Sequence, residues 1–169
     1  QPRKNQVLLY NAWKVMARSK DKDIPALIIV GQRGWLSEEL IHLIERDPDI
    51  GNKIKILGNV TDNELRYLYN NCIATIFPSF YEGWGLPVEE SLSFGKLCFA
   101  PNNSSIPEVG QGLVEFIDPL DPVELAKKLI EYWKDIDHRF FIENSIREKF
   151  KRTKITSTLL DVRSKLSII

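Results

Sequence analysis

The sequence is poor in the residues that build metal centres and covalent scaffolds. It holds two cysteines, Cys72 and Cys98, and two histidines, His42 and His138, in 169 residues. The cysteines sit in apolar surroundings on a predicted helix and a predicted strand. They read as small buried hydrophobes, so no disulfide framework is indicated, in keeping with a reducing cytoplasm. The histidines are far apart, lack metal-ligand spacing and read as surface residues. An excess of either charge is lacking too: Lys+Arg and Asp+Glu both number 23. That leaves no overall field for nucleic acid. No apolar run approaches the roughly 20 residues that span a bilayer. No signal peptide opens the sequence, and repeats, low-complexity tracts and linkers are absent from it.

What is present fits one α/β domain over residues 1–169. Hydrophobic residues make up 43% and charged residues 27%, enough for a sizeable core in a chain of this length. Helical spacing of Leu8, Ala12, Val15 and Met16 predicts an amphipathic helix from about Lys4 to Ala17. Leu27-Ile28-Ile29-Val30 is a continuous apolar run ending at Gly31 and predicts a parallel strand buried on both faces. Leu36, Leu40, Leu43 and Ile44 predict the next helix, and Lys53 to Leu57 a strand ending at Gly58. Thr61 and Glu64 fit a capping box ahead of Leu65, Leu68, Tyr69 and Cys72. Ser105 and Glu108 suggest a second box. Strands are expected at Leu97–Ala100 and Val114–Ile117. Asp121-Pro122 starts a further helix, and helices around Arg139–Phe150 and Thr153–Leu166 follow. Strands alternate with helices throughout, which predicts an open, doubly wound, Rossmann-like parallel sheet. Such a domain normally opens with a strand, so the first strand of the sheet is expected to be missing.

One stretch concentrates the chemistry. Ile73 to Phe77 reads as a short buried strand. Pro78-Ser79-Phe80-Tyr81-Glu82-Gly83-Trp84-Gly85-Leu86-Pro87-Val88-Glu89-Glu90 then makes a glycine-permitted loop and enters a helix, with Pro87 at its expected first position. Glycines let the backbone approach a ligand, and unbonded amides at a helix start attract anions. Glu82 and Glu90 are out of place in a pocket for phosphate alone. Carboxylates accept hydrogen bonds from hydroxyls, so phosphate flanked by sugar hydroxyls suits both halves of the motif. The residues alone leave a second reading open: a surface loop and a helix with acids in its favourable first turn. Gly31 and Arg33 lie at the carboxyl end of a strand, where ligands of such sheets bind, or form a surface turn. The eight basic and three acidic residues of span 139–165 read either as solvated helix faces or as a surface for acidic membranes or another domain.

Pro-Ser-x-x-Glu-Gly-x-Gly-Leu-Pro-x-x-Glu resembles the donor-site signature of the family-4 retaining glycosyltransferases of GT-B architecture. The likeness extends through Gly95-Lys96 and Ser104 to Val109, and covers the carboxyl-terminal half of such an enzyme. It implies a donor site for a GDP- or UDP-linked sugar, with GDP-mannose favoured by likeness to bacterial mannosyltransferases. Glu82 would hold the hexose with the Gly83-Trp84-Gly85 backbone, and the helix start from Gly85 through Leu86 to Val88 would stabilise the leaving diphosphate. Glu90 would hold the ribose, backbone near Val60 would meet the base, and Lys4 would contact the diphosphate. The family's partner arginine is expected to be absent from this chain, and Trp84 stands where phenylalanine is more usual. The resemblance further implies catalysis by Glu82 and Lys4 without a metal or other cofactor. It implies a glycan or lipid-linked acceptor in polysaccharide or lipopolysaccharide synthesis, a missing N-terminal acceptor domain, and a cytoplasmic location with peripheral contact at the inner membrane face. The alternative is a nucleotide-binding regulatory or assembly module without transferase activity, which a doubly wound sheet fits equally.

Overall fold

A computed structural model describes residues 2–19, 23–31, 38–50 and 53–150. Arg33, Leu36 and the helix expected near Thr153 to Leu166 lie outside the described residues. After a 3-10 turn at Pro2–Lys4, the order is α1 (Gln6–Arg18), β1 (Leu27–Val30), α2 (Glu38–Arg46), β2 (Ile54–Leu57), α3 (Asp62–Asn71), β3 (Thr75–Ile76), α4 (Leu86–Ser93), β4 (Cys98–Pro101), α5 (Ile106–Gly110), β5 (Val114–Ile117) and α6 (Pro122–Lys134). Helical backbone over 136–150 forms α7.

All strand pairs are parallel. β1 pairs with β2, with Leu27 opposite Ile54, and β4 lies between β3 and β5, with Cys98 opposite Thr75 and Val114. The sheet therefore comes in two groups among the described residues. With β1 and β2 as second and third strands and β3 to β5 as fourth to sixth, this is the doubly wound 3-2-1-4-5-6 order. Its first strand, which belongs between β1 and β3, is not among the described residues. Burial follows from that division. β4 is the middle of three strands, and Cys98, Phe99 and Ala100 are all essentially inaccessible. β1 does not show the two-sided burial expected of it. Leu27 and Ile29 join the core with Leu40, Ile41 and Ile44 of α2, whereas Ile28 and Val30 are 43% and 42% exposed. Nothing described covers their face. For the same reason Ile73 to Phe77 is half-buried rather than buried, and α3 buries no residue fully.

Local signals decide the helix starts. Thr61 and Glu64 form the capping box in both directions, and the Asp121 carboxylate accepts from the amides of Val123 at 2.8 Å and Glu124 at 3.0 Å. Ser105 does not cap α5. Its hydroxyl is used elsewhere, on the loop that follows β3. Cys72 is half-buried and Cys98 buried, both as free thiols, and burial pushes the Cys98 thiol up to about 12. No helix among the described residues is long and apolar enough to cross a membrane.

One polar cluster ties α1 to the segment after α2. The Asp47 carboxylate is buried and accepts from the Tyr10 hydroxyl and the Lys14 ammonium, each at 2.6 Å, and from the Asp49 amide at 3.0 Å. Lys14 and Tyr10 together hold the Asp47 carboxyl at about 2, below the ordinary 3.8. The folded value is the lower one, so this carboxylate contributes stability above about pH 4, and the contribution is lost as pH falls towards 2. Asp47→Asn is expected to destabilise the neutral-pH protein by about 1.5–3 kcal/mol, the worth of hydrogen bonds to a charged group, and to flatten the acid limb of the melting curve. Thermal melts of both proteins between pH 2 and 7 check it. Parallel acid limbs would show that the cluster contributes nothing.

Candidate functional site

The loop after β3 is held from three directions. The Phe77 amide donates to the Phe99 carbonyl at 2.8 Å and extends the β3–β4 ladder by one bond. From the amino-terminal turn, the Arg3 carbonyl accepts the Phe80 amide at 2.9 Å. The Arg3 guanidinium donates to the Tyr81 carbonyl at 2.7 Å. Asn5 is buried and its backbone is left-handed (φ 50°). Its side-chain amide donates to the carbonyls of Pro119 at 2.8 Å and Pro78 at 3.3 Å. From the segment after β4, Asn103 donates to the Phe80 carbonyl at 3.0 Å and the Ser105 hydroxyl to the Glu82 carbonyl at 3.4 Å. Backbone polar groups satisfied in this way fix a loop without regular structure.

That stitching brings residues 78 positions apart into contact. Lys4 Nζ lies 2.7 Å from Glu82 Oε1, and Arg3 Nη1 lies 2.5 Å from the same oxygen. Lys4 also stands over the Phe77 ring, 5.0 Å from its centroid, where a cation is attracted by the ring face. The Glu82 side chain is 13% exposed. Burial pushes its carboxyl up, but Arg3 and Lys4 outweigh that and hold it below the ordinary value. Ser79, buried at the loop's start, points its hydroxyl towards the same carboxylate and helps to lower it, after Arg3 and Lys4.

The helix start needs its glycine. Gly85 has φ 88°, and a Cβ there would lie 2.9 Å from Ile106 Cδ1. The left-handed backbone would strain a side chain there, and the buried Ile106 side chain would have to shift to admit it. Gly83, by contrast, has open space where its Cβ would be. The helix begins at Leu86, which puts Pro87 at its second position, one residue later than expected. No side chain caps α4. The amides of Val88 and Glu89 both turn back to the Gly85 carbonyl. Those of Gly83, Trp84, Gly85 and Leu86 meet no acceptor among the described residues. Trp84 is 53% exposed, and its indole N–H donates to Glu89 at 3.3 Å.

Glu90 stands one turn into α4, exposed, and accepts from the Tyr69 hydroxyl of α3 at 2.9 Å. Gly31 and Val60 lie past the carboxyl ends of β1 and β2, and the Gly31 amide donates to the Leu57 carbonyl at 3.0 Å. The structure thus joins Lys4 directly to Glu82 and gathers Gly83 to Leu86 beside them. It leaves Glu90 on a separate contact, with Gly31 and Val60 on the other strand group. Sequence reading missed Arg3, Asn5 and Tyr69. Arg3 adjoins Lys4 in a turn, which is the one local signal it gave. A hollow of about 260 Å³ lined by Asp23, Trp133, Lys134, Ile136 and Arg139 sits at the carboxyl end of α6. It holds none of these residues and lies away from the strands' carboxyl ends, where ligands of such sheets bind.

Chemically, two cations and a set of unbonded amides can take an anion, and carboxylates on either side can take hydroxyls. Comparison with known proteins agrees with that geometry. Residues 1–149 match the family described as glycosyl transferases group 1. O-antigen chain mannosyltransferase B of Escherichia coli is 37% identical over 137 residues, covering 80% of this chain and 35% of that protein. Among solved structures, a glycosyltransferase from Rickettsia africae superposes with a TM-score of 0.75 at 21% identity, over 89% of this chain and 40% of that one. Anabaena Alr3699/HepE, in complex with UDP-glucose, gives 0.74 at 19% identity over 98% and 46%. The chain therefore spans about a third of the curated relative and under half of these structures. A family match over most of the length, on a doubly wound sheet with its loop motif at the strands' carboxyl ends, makes this chain a member of the glycosyl transferases group 1 family, as a carboxyl-terminal domain of GT-B architecture.

Proposed function

We propose that residues 1–169 form the donor-binding domain of a retaining hexosyltransferase that takes its sugar from a nucleoside diphosphate. The observation that carries this is the convergence of Lys4 and Arg3 on Glu82 beside the uncapped start of α4 at Gly85. The diphosphate lies against Lys4 and the amides of Gly83 to Leu86. Glu82 accepts hydroxyls of the hexose, Glu90 those of the ribose, and backbone near Val60 and Gly31 borders the base. Breaking the bond from the anomeric carbon to the phosphate puts charge on the leaving diphosphate, and Lys4 with the helix start stabilises it. No metal or other cofactor takes part. The donor is GDP-mannose, a reading supported by the likeness to an O-antigen mannosyltransferase. The UDP-glucose complex of HepE supports a UDP-hexose as the second candidate. The acceptor is a growing or lipid-linked bacterial polysaccharide, held by an acceptor domain elsewhere in the polypeptide. The protein works in the cytoplasm, with peripheral contact at the inner membrane face.

Calorimetric titration of this chain with GDP, GDP-mannose, UDP, UDP-glucose and ATP, with and without EDTA, tests the reading. One nucleoside diphosphate and its sugar conjugate are expected to bind more tightly than ATP, unaffected by EDTA. Glu90→Gln is expected to weaken both by about ten- to a hundredfold, from the loss of hydrogen bonds to a charged acceptor. Glu89→Gln, pointing about 100° away around the helix, is expected to bind as the parent does. ATP binding as tightly as the diphosphates would favour a nucleotide-binding module over a transferase.

A further inference from the structure

We propose that Tyr69 is a positioning residue for Glu90: its hydroxyl, reaching across from α3, holds the carboxylate in the orientation that accepts ribose hydroxyls. Glu90 needs such support. It is exposed on the second turn of a short helix, and an unrestrained glutamate there loses rotamer freedom on every binding event. The support comes from another element. Tyr69 Oη donates to Glu90 Oε2 at 2.9 Å across 21 residues of sequence.

The tyrosine is itself locked. Its ring stacks on Phe94 with centroids 5.0 Å apart and planes 8° from parallel. Phe94 closes α4, its amide bonded to the carbonyls of Glu90 and Ser91. The helix that carries the carboxylate thus also carries the surface on which its donor is stacked, so the two move together. Below them the helix is pinned to the sheet. Thr75 Oγ1 and Ser91 Oγ are 2.7 Å apart, and Ser91 Oγ donates to the Lys96 carbonyl at 3.0 Å. Burial, then the neighbouring carboxylate, raises the phenol well above its ordinary value. The hydroxyl therefore stays protonated, and a donor, at neutral pH. One oxygen of Glu90 is taken by Tyr69, and the other oxygen is presented to the ligand. This rests on the proposed ribose contact of Glu90, and the test separates the two.

The probes are GDP and UDP, with the 2′,3′-dideoxy form of whichever one binds, titrated into the parent, Tyr69→Phe, Glu90→Ala and the double variant. Tyr69→Phe keeps the stacked ring and removes only the hydroxyl. It is expected to weaken the ribonucleotide by about tenfold and leave the dideoxynucleotide unchanged, and to add no loss to Glu90→Ala. Equal weakening of both nucleotides, with a lowered melting temperature, would mean that Tyr69 only braces α3 against α4. Unchanged ribonucleotide binding would overturn the positioning role while leaving the donor site intact. A ligand-free arm stands apart from the donor-site reading. The carboxyl ¹³C resonance of Glu90 is expected to move in Tyr69→Phe. An unmoved resonance overturns the hydrogen bond itself, whichever nucleotide the chain takes.

Discussion

Lys4→Gln is expected to lower the turnover of the proposed transferase, assayed with the proposed acceptor domain in place, by about a hundred- to a thousandfold. That is the size of effect seen when one preorganised donor to a developing negative charge is removed. The Michaelis constant for the nucleotide-sugar should change less, because the leaving diphosphate carries more charge in the transition state than in the bound donor. The geometry prepares the lysine for this. Its side chain is 20% exposed, and its ammonium stands over Phe77 and touches a carboxylate that a diphosphate would compete with. Glutamine, one atom shorter, keeps a hydrogen-bonding end but removes the charge. Arg3→Gln should cost less, since Arg3 is 42% exposed and its charge is better screened. The ion pairs as such stabilise the fold by only about 0–1 kcal/mol, so a melting curve should barely move. Steady-state kinetics with the donor identified by titration decide the matter. Turnover within threefold of the parent would remove Lys4 from the chemistry.

How much of this could be read from the chain depends on the range of each contact. Thr61 with Glu64, and Asp121 with the two amides after it, are contacts within one turn. Their residue types announce them. The left-handed position at Gly85 is local too, and the strand-loop-helix reading around it followed from composition and spacing. The Ser105–Glu108 box had the right residues but failed, because the Ser105 hydroxyl found a carbonyl on the loop after β3. Such competition is invisible in a window of four residues. Lys4 and Arg3 meet Glu82 across 78 and 79 positions, and only the turn at Pro2–Lys4, anchored by Asn5, makes that distance short. The resemblance supplied Lys4, whereas Arg3 offered only its place beside it. Tyr69 read as one more apolar position on an amphipathic face, and its hydroxyl had no partner until α4 was placed beside α3. The exposed face of Ile28 and Val30 was misread for a different reason. A continuous apolar run reports what a strand is suited to contact, not whether the contacting element is among the residues at hand.

Glu82→Ala should separate sugar from nucleotide, and it is the sharper test of the site. The side chain sits before the glycines, on the hexose side of the proposed helix-start phosphate site, and its carboxylate is shared by two cations. In this chain the change is expected to weaken the intact nucleotide-sugar by about tenfold or more, the worth of charge-assisted hydrogen bonds to hydroxyls. The free nucleoside diphosphate should bind unchanged or more tightly, because Lys4 and Arg3 no longer have an internal counter-ion and can both turn to the phosphates. In the proposed transferase with the proposed acceptor domain, turnover should fall about a hundredfold or more, since a misplaced anomeric carbon loses the alignment on which the reaction depends. A brace for the loop predicts something else. Glu82 holds Arg3 and Lys4 against the segment from Pro78 to Gly85. If that were its whole function, both ligands would weaken equally and the melting temperature would drop. Calorimetry of parent and variant with each ligand, and one melting curve, distinguish the outcomes. Equal loss for both ligands would reduce Glu82 to a structural anchor and leave the donor-site reading to Glu90, Lys4 and the helix start at Gly85.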